Sequence, residues 1–397
     1  MSLQATPSSE RVHIGFFGRR NTGKSSLVNA VTGQALAVVS DVKGTTTDPV
    51  TKAMELLPLG PVVMIDTPGF DDEGGLGQLR VQKTKEILRR VDVAVLVADA
   101  TVGLTDTDRE LLTLFAEREI PSITVYNKAD LPHSPVADGL AVSAVSGDGV
   151  NALKEQLGRL VGAREQKPIA RDLLQAGQTA VLVTPIDSAA PKGRLILPQQ
   201  QTLRDLLDGG CPTLVTRETE LELSLRTLAA PPAIVITDSQ AFGYVSQIVP
   251  PSVPLTSFSI LMARYKGNLP AAVIGAATLD KLQDGDRVLI AEGCTHHRQC
   301  GDIGSVKLPA WIRKYTGKQI EFSFTSGNEF PEDLSAYRLV LHCGGCMQTE
   351  REMRARARVA ADGGVPMTNY GVAIAQLHGI LRRSLSPFPD IAALLDQ

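Results

Sequence analysis

The chain has 397 residues, of which 43% are hydrophobic and 21% are charged, and its net charge at pH 7 is −3. This composition is typical of globular proteins and excludes the disordered and fibrous classes. The near-neutral charge and an aromatic content of 4% give no electrostatic or stacking basis for a nucleic-acid partner. The length is sufficient for two or three domains, each with its own hydrophobic core.

The apolar pattern predicts a cytoplasmic protein without membrane association. The first ten residues are polar and lack the apolar core of a secretion signal. None of the apolar runs reaches the roughly 20 residues that a transmembrane helix needs. The five cysteines are therefore expected to be reduced, and clustered cysteines then indicate metal or redox chemistry.

A phosphate-binding loop lies near the start of the chain. The apolar run 14–17 ends at Gly18, and four residues separate Gly18 from Gly23, which is the P-loop spacing. Backbone N–H groups and the following helix would hold the phosphates, Lys24 would reach their terminal oxygens, and Ser25 would bind Mg²⁺. The pattern predicts a nucleotide site whose loop residues are Asn21, Thr22, Gly23, Lys24, Ser25 and Ser26.

A second motif follows the apolar run 62–65, which predicts a buried strand. This motif, Asp66-Thr67-Pro68-Gly69, places a carboxylate where it can hold Mg²⁺ through water. The Gly69 N–H can bind a γ-phosphate. Further along, the sequence predicts a strand at 91–98 and a helix at 106–118.

A third motif selects the base. The predicted strand 123–126 ends in Asn127-Lys128-Ala129-Asp130, and a carboxylate can accept hydrogen bonds from the guanine N1–H and exocyclic amine. Adenine lacks this donor pair, so GTP is the predicted nucleotide. Ser143 and Ala144 then end a short strand, and a helix is predicted at 151–160.

These motifs, each at the carboxyl end of a strand, resemble the Era/TrmE branch of the translation-factor-class GTPases over about the first 165 residues. The resemblance implies a catalytic site of Lys24, Thr46, Asp66 and Gly69. Thr46 would be the switch-I threonine that binds Mg²⁺ together with Ser25, and Thr45 is the less favoured choice.

Two further expectations come from the same resemblance. Asn21 would bind a K⁺ ion that stands in for an arginine finger, and the alternative is ordinary loop hydrogen bonding. Phe70 stands where Ras-like GTPases carry the glutamine that positions water, so intrinsic hydrolysis is expected to be slow. Glu73 and Gln78 are unranked candidates for the missing group.

The middle of the chain, residues 166–265, predicts a small parallel α/β domain. Its predicted strands alternate with helices at 199–208, 217–228 and 239–247, and the strands lie at 179–184, 212–215, 233–237 and 253–258. It contains no evident catalytic constellation, so a dimerisation role is the working hypothesis.

The last stretch, residues 266–397, predicts strands at 287–291, 319–324, 337–341 and 365–368 and helices at 348–361 and 370–382. The first of these strands leads to Cys294 and His296, and the third leads to His342, Cys343 and Cys346. The carboxyl ends of parallel strands meet at one edge of a sheet, so these groups are expected to converge. A helix beginning near Met347 would lower the cysteine pKa values, and thiolates with imidazoles suit zinc or an iron–sulfur cluster.

The pattern Cys294-x-His296 followed by His342-Cys343-x-x-Cys346 resembles the cluster motif of the HydF family, the maturation GTPases of iron-only hydrogenases. The resemblance covers nearly the whole chain. It implies a 4Fe–4S cluster on Cys294, Cys343 and Cys346, with His296 or His342 as an exchangeable fourth ligand.

The implied protein is a GTP-hydrolysing scaffold that receives a binuclear iron precursor from radical-SAM partners and delivers it to iron-only hydrogenase. It would form a homodimer and use GTP, Mg²⁺, K⁺ and a 4Fe–4S cluster. The predicted fold is α/β in three domains: a P-loop GTPase (1–165), a dimerisation domain (166–265) and a cluster-binding domain (266–397). The alternatives are an RNA-binding assembly GTPase with structural zinc, which the composition disfavours, and a redox or sensor protein with a regulatory GTPase domain.

Overall fold

The computed structural model describes residues 6–33, 49–57, 59–69, 84, 86–135, 138–162, 167–186, 195–293, 302–327 and 329–396. The chain divides into two compact units, Met1–Glu165 and Gln166–Gln397. In the described residues, the first unit contains one sheet and the second contains two.

The first unit is a six-stranded sheet in the order β2-β3-β1-β4-β5-β6. Strand β2 is antiparallel to β3, and the other neighbours are parallel. In chain order its elements are β1 (Val12–Phe17), α1 (Lys24–Thr32), β2 (Val50–Leu56), β3 (Gly60–Asp66), β4 (Val93–Asp99), α2 (Asp106–Glu117), β5 (Ser122–Asn127), β6 (Leu140–Ala141) and α3 (Val150–Val161).

Alternating side chains of the central strand β1 build a core on each face of this sheet. Phe16 packs with Leu27 of α1 on one face, and Phe17 contacts Phe115 of α2 on the other, with ring centroids 5.2 Å apart. The predicted strands and helices are confirmed. The edge strand β2 was not predicted because most of its residues are exposed, so it lacks an apolar pattern.

The second unit contains two parallel sheets, ordered β10-β9-β7-β8 and β12-β11-β13-β14. The elements of the middle sheet are β7 (Ala180–Val183), α4 (Leu197–Asp208), β8 (Thr213–Thr216), α5 (Leu221–Thr227), β9 (Ile234–Thr237), α6 (Phe242–Ile248), β10 (Leu255–Ser257), α7 (Phe258–Tyr265) and α8 (Leu269–Ala276). Those of the last sheet are β11 (Arg287–Glu292), α9 (Leu308–Thr316), β12 (Glu321–Ser326), β13 (Leu339–His342), α10 (Glu350–Asp362), β14 (Met367–Asn369), α11 (Tyr370–Leu377), α12 (Leu381–Ser384) and α13 (Pro389–Ala392). The predicted α/β class with parallel sheets is confirmed.

The two sheets of the second unit have the same topology. In each, the first strand in the sequence lies between the second and the third, and the fourth forms the edge next to the third. Their last strand–helix segments also align, since residues 254–267 and 366–379 share Pro, Thr, Ala and Gly at equivalent positions. The helix is capped in the same way in both: Ser257 accepts the Ile260 N–H, and Asn369 accepts the Val372 N–H. The second unit is thus an internal repeat.

A shared core joins the two repeats. Val372 and Ala375 of α11, together with Leu381 and Leu385, are buried in the hydrophobic cluster that contains strands β7 and β9. The chain therefore returns from the last sheet to cover the middle one. Among the described helices, none is long and apolar enough to cross a bilayer.

Candidate functional site

The P-loop connects β1 to α1 and has the backbone that phosphate binding requires. Gly23 has a φ of +83° and precedes the first turn of α1, which contains Lys24, Ser25 and Ser26. A Cβ atom on Gly23 would lie 2.2 Å from Asn127 Nδ2, so only glycine fits there. Asn21 also has a positive φ, +62°. The Lys24 ammonium donates to the carbonyls of Gly18 and Arg19 at 3.0 and 2.8 Å, which fixes it beside the loop.

Ser25 and Asp66 lie together at the position expected for Mg²⁺. Ser25 Oγ donates to Asp66 Oδ2 at 2.5 Å, and Asp66 is buried. Burial raises the pKa of the Asp66 carboxyl, against the opposing effects of the Ser25 hydrogen bond and the Lys24 charge. Its Oδ1 is buried and has no hydrogen-bond partner among the described residues. A buried carboxylate oxygen beside a hydroxyl fits a hydrated Mg²⁺ ion.

Gly69 lies against the P-loop. A Cβ atom on Gly69 would be 2.8 Å from Arg20 Cα and 2.9 Å from Arg20 N, so a side chain there would displace the loop. The motif is held by Thr67, whose hydroxyl donates to the Phe16 carbonyl at 2.6 Å. Thr45, Thr46, Phe70, Glu73 and Gln78 lie outside the described residues.

Asn127 connects three segments of the nucleotide site. Its Nδ2 donates to the Thr22 carbonyl at 2.9 Å, and its Oδ1 accepts the Ala144 N–H at 3.0 Å. Ser143 Oγ donates to Asp130 Oδ1 at 2.6 Å. The structure therefore brings together the P-loop, the base-recognition motif and the Ser-Ala segment.

Sequence reasoning missed Asp99 as a member of this site. Lys128 has a φ of +66° and donates to Asp99 Oδ2 at 2.6 Å. Although burial alone would raise it, the pKa of Asp99 is lowered by hydrogen bonds from Lys128 and Thr101. The sequence did contain a signal for Asp99. It is an acidic residue directly after the predicted strand 91–98, and it pairs with Asn127 at the end of the neighbouring strand.

The cysteine site lies at the carboxyl edge of the last sheet. Cys343 follows β13, and its Sγ accepts the Gly293 N–H at 3.0 Å. Gly345, next to Cys346, has a φ of +62°, which allows the backbone to curve closely around a bound group. Cys294, His296, His297 and Cys300 lie outside the described residues. Within the described ranges, no group of three or more His, Cys, Asp or Glu side chains could hold a metal ion.

The expected effect on the cysteine pKa is wrong for Cys346. Burial, followed by the neighbouring Cys343, raises the pKa of the Cys346 thiol to about 11, whereas Lys266 and two backbone N–H groups act to lower it. Helix α10 begins at Glu350, with Thr349 as its cap, rather than near Met347. The helix N-terminus is therefore displaced along the chain from Cys346, and burial has the larger effect.

His342 is engaged in a buried network instead of pointing to an open metal position. Its Nε2 lies 3.0 Å from Arg356 Nη1 and its Nδ1 lies 2.8 Å from the Cys343 carbonyl. Arginine can only donate, so Nε2 accepts, Nδ1 carries the proton, and the ring has no lone pair left for a metal. Arg356 is fully buried and also donates to Glu352 and to the Gly327 carbonyl.

Three domain models match successive parts of the chain. The family model described as 50S ribosome-binding GTPase matches residues 13–128. The hydrogen maturase F dimerization domain matches 169–267, and the hydrogen maturase F tetramerization domain matches 270–387. The chain belongs to the hydrogen maturase F family. The resemblance to HydF inferred from the cysteine motif is thereby confirmed, and so is a GTPase domain at the N-terminus of this family member.

Curated relatives that are GTPases match part of this hydrogen maturase F chain. A tRNA modification GTPase MnmE from Dechloromonas aromatica is 31% identical over 55% of this chain and 47% of its own length. GTPase Der from Wolinella succinogenes is 33% identical over 39% of this chain and 36% of its own length. The chain thus spans less than half of these relatives. Their GTPase class agrees with the predicted hydrolysis of GTP.

Solved structures of GTPases also resemble the chain in part. Aquifex aeolicus Era bound to GDP.AlF4- matches with a TM-score of 0.35 and 19% identity, over 52% of this chain and 93% of that one. The G domain of the T. maritima FeoB iron transporter matches with a TM-score of 0.30 and 22% identity, over 38% of this chain and 100% of that one. TM-scores of this size carry no conclusion about function.

Proposed function

We propose that the chain is a GTP-hydrolysing scaffold and carrier in the maturation of iron-only hydrogenase. It holds a 4Fe–4S cluster, accepts a binuclear iron precursor from radical-SAM partners as cargo, and delivers it to the hydrogenase. The observation that carries this proposal is the match of two hydrogen maturase F domains to residues 169–267 and 270–387, which follow a GTPase domain. We assign the action of the protein to the cytoplasm.

The ligands of the cluster are Cys294, Cys343 and Cys346. The N–H···S hydrogen bond from Gly293 to Cys343 and the glycines between the two later cysteines suit a thiolate-bound cluster. When bound, the cluster supplies an iron whose fourth position can exchange. We assign this position to His296, because both ring nitrogens of His342 are already hydrogen-bonded.

The GTPase domain controls the scaffold. Ser25 and Thr46 bind Mg²⁺, Asp66 acts on it through water, and Asn21 binds an activating K⁺ ion. GTP turnover alters the order of the switch segments, and through them the contacts with partners. The functional division is GTPase 1–165, dimerisation 166–265 and cluster binding 266–397, in a homodimer.

Activation of a hydrogenase tests this proposal. Apo-hydrogenase is incubated with the full chain after its co-expression with the radical-SAM proteins, and hydrogen evolution is measured. The Cys343→Ser and Cys346→Ser variants are expected to abolish activation. The matched control is Cys211→Ser, which changes a buried cysteine in the core of the middle sheet. Activation by the cysteine-site variants at the control level would refute the proposal.

A further inference from the structure

Helix α2 contains a buried carboxylate that lies outside the nucleotide-binding motifs. Asp108 is fully buried, although it belongs to the first turn of the helix. Its Oδ2 accepts hydrogen bonds from the N–H and the hydroxyl of Thr105 at 2.9 and 2.7 Å. A carboxylate can cap a helix in this way at the protein surface, so capping does not require burial. Burying the charge is costly unless a cation lies close to it.

Arg19 of the P-loop is the cation that pairs with Asp108. The Arg19 Nε lies 3.3 Å from Asp108 Oδ2. Arg19 follows β1 and Asp108 follows β4, and these two strands are neighbours in the sheet. The residue before Arg19 is also close to β4, since a Cβ atom on Gly18 would be 2.3 Å from the Val97 carbonyl. The start of the P-loop therefore contacts β4 through its backbone and α2 through the Arg19 side chain.

The backbone of Arg19 is an anchor of the P-loop. Its carbonyl accepts a hydrogen bond from the Lys24 ammonium at 2.8 Å and another from the Thr22 hydroxyl at 3.0 Å. A displacement of Arg19 would therefore also displace Lys24 and the curve of the loop. Backbone N–H groups stabilise phosphate best when they are already directed at it before it binds. An ion pair that fixes Arg19 thus helps to preserve the phosphate-binding conformation.

The same ion pair distinguishes two possible roles of Arg19. An arginine near a nucleotide can contact the γ-phosphate directly, as an arginine finger does. In this structure the guanidinium is instead directed to a buried carboxylate on α2. A finger would act on GTP and not on GDP. A residue that fixes the P-loop would affect both nucleotides, because the loop holds the phosphates that they share.

We propose that Asp108 is a positioning residue for GTP hydrolysis, which acts through Arg19 to fix the P-loop. The role of Asp108 rests on the proposed nucleotide site and is independent of the cysteine site. Asp108 does not contact the nucleotide. Its carboxylate holds the Arg19 guanidinium, and the Arg19 carbonyl in turn holds Lys24 beside the phosphates.

A double-mutant cycle in the full chain tests this role. Asp108→Asn keeps an oxygen that can accept from Thr105 but removes the charge, Arg19→Gln removes the guanidinium, and a third variant combines both. Asp106→Asn is the matched control, because Asp106 lies in the same helical turn and forms an exposed ion pair with Arg109. The readouts are the affinities for GDP and a non-hydrolysable GTP analogue, kcat and KM for GTP hydrolysis, and thermal unfolding. Binding and hydrolysis are measured below the unfolding transition of every variant.

We expect Asp108→Asn and Arg19→Gln each to weaken the binding of GDP and of the GTP analogue alike, by roughly 10-fold or more. KM should rise more than kcat falls. The double variant should bind no more weakly than the weaker single variant, because removal of one partner already removes the effect of the pair. Asp106→Asn should remain near the wild type in all of these measurements.

Additive effects in the double variant would overturn the inference, as would wild-type nucleotide affinity in either single variant. A loss in Arg19→Gln that is confined to the GTP analogue would also overturn it, since Arg19 would then act on the γ-phosphate. If Asp108→Asn does not fold, the comparison of GDP with the GTP analogue in Arg19→Gln decides, because the Arg19 side chain is 28% exposed. If the wild-type chain binds neither nucleotide, the proposed nucleotide site fails instead, before any variant is compared.

Discussion

At the scale of single residues, the nucleotide site follows from residue types at fixed spacing. Lys24, Ser25 and Asp66 lie where the P-loop and strand-end motifs predicted them. Their chemistry depends on neighbours that are close in sequence or at the ends of adjacent strands. The role of each can therefore be tested by a single substitution.

Lys24→Ala removes the cation that reaches the terminal phosphate oxygens. We expect GTP hydrolysis to fall by roughly 100-fold or more, while the visible absorption of the cluster is unchanged. The exposed Arg159 on α3 provides the control, Arg159→Ala, with hydrolysis near wild type. Loss of the cluster in Lys24→Ala would refute the separation of the two roles.

The Asp66→Asn substitution is expected to change stability and Mg²⁺ affinity in opposite directions. Burial raises the pKa of Asp66, so its charged form costs folding free energy near pH 7, and this cost is relieved as the pH falls through the raised pKa. The amide can still accept from Ser25. We expect a higher unfolding temperature without nucleotide and a roughly 10- to 100-fold weaker Mg²⁺ affinity. A lower unfolding temperature of the nucleotide-free variant at pH 7 would contradict this reasoning.

At the same scale, the residues that prediction missed act over long sequence separations. Asp99 pairs with Lys128, and Asp108 pairs with Arg19. Neither pair follows a local pattern, because each forms only when distant strands have been placed side by side. His342 was expected near a metal because of its sequence neighbours. Its ring nitrogens are occupied by groups that the sequence alone does not place next to it.

At the scale of elements, strands and helices followed from apolar runs and helical spacing. One strand was missed and one helix start was misplaced, each for a physical reason. The exposed β2 lacks an apolar run, and α10 begins where Thr349 accepts the Glu352 N–H. A capping hydrogen bond of this kind defines the first residue of a helix more precisely than the hydrophobic pattern of the sequence does.

The buried face of α10 supports the cysteine site. Arg356→Met leaves the Glu352 carboxylate and the His342 ring without their partner. Removing one member of a buried ion pair costs about 3–5 kcal/mol, so denaturant unfolding should show a loss of that order. Arg358→Met, at an exposed position on the same helix, is the control. An equal effect of both substitutions would contradict the structural role of the network.

At the scale of the whole molecule, the second unit behaves as one body because its repeats share a core. Leu381, from the last helices, is buried with the strands of the middle sheet. Leu381→Ala is expected to cost about 2–5 kcal/mol and to accelerate hydrogen exchange in both β9 and β13. The control is Leu207→Ala, at a position 55% exposed on α4. Faster exchange confined to one sheet would contradict a shared core.

The repeat itself was not predictable from the sequence. The aligned segments 254–267 and 366–379 share only four of fourteen residues. This similarity is too low to indicate a repeat until the two sheets are known to have the same strand order. The return of the C-terminal helices to the middle sheet is likewise a tertiary feature. Local apolar patterns predict that these helices are buried, but not which sheet they cover.

The central claim is that the C-terminal cysteines hold an iron–sulfur cluster on a GTPase scaffold. Metal analysis combined with EPR on the full chain, purified anaerobically, tests it most directly. The claim predicts iron and sulfide at the stoichiometry of a 4Fe–4S cluster, a signal that appears on reduction, and no RNA in the preparation. Zinc without iron would contradict it and would favour a structural metal site.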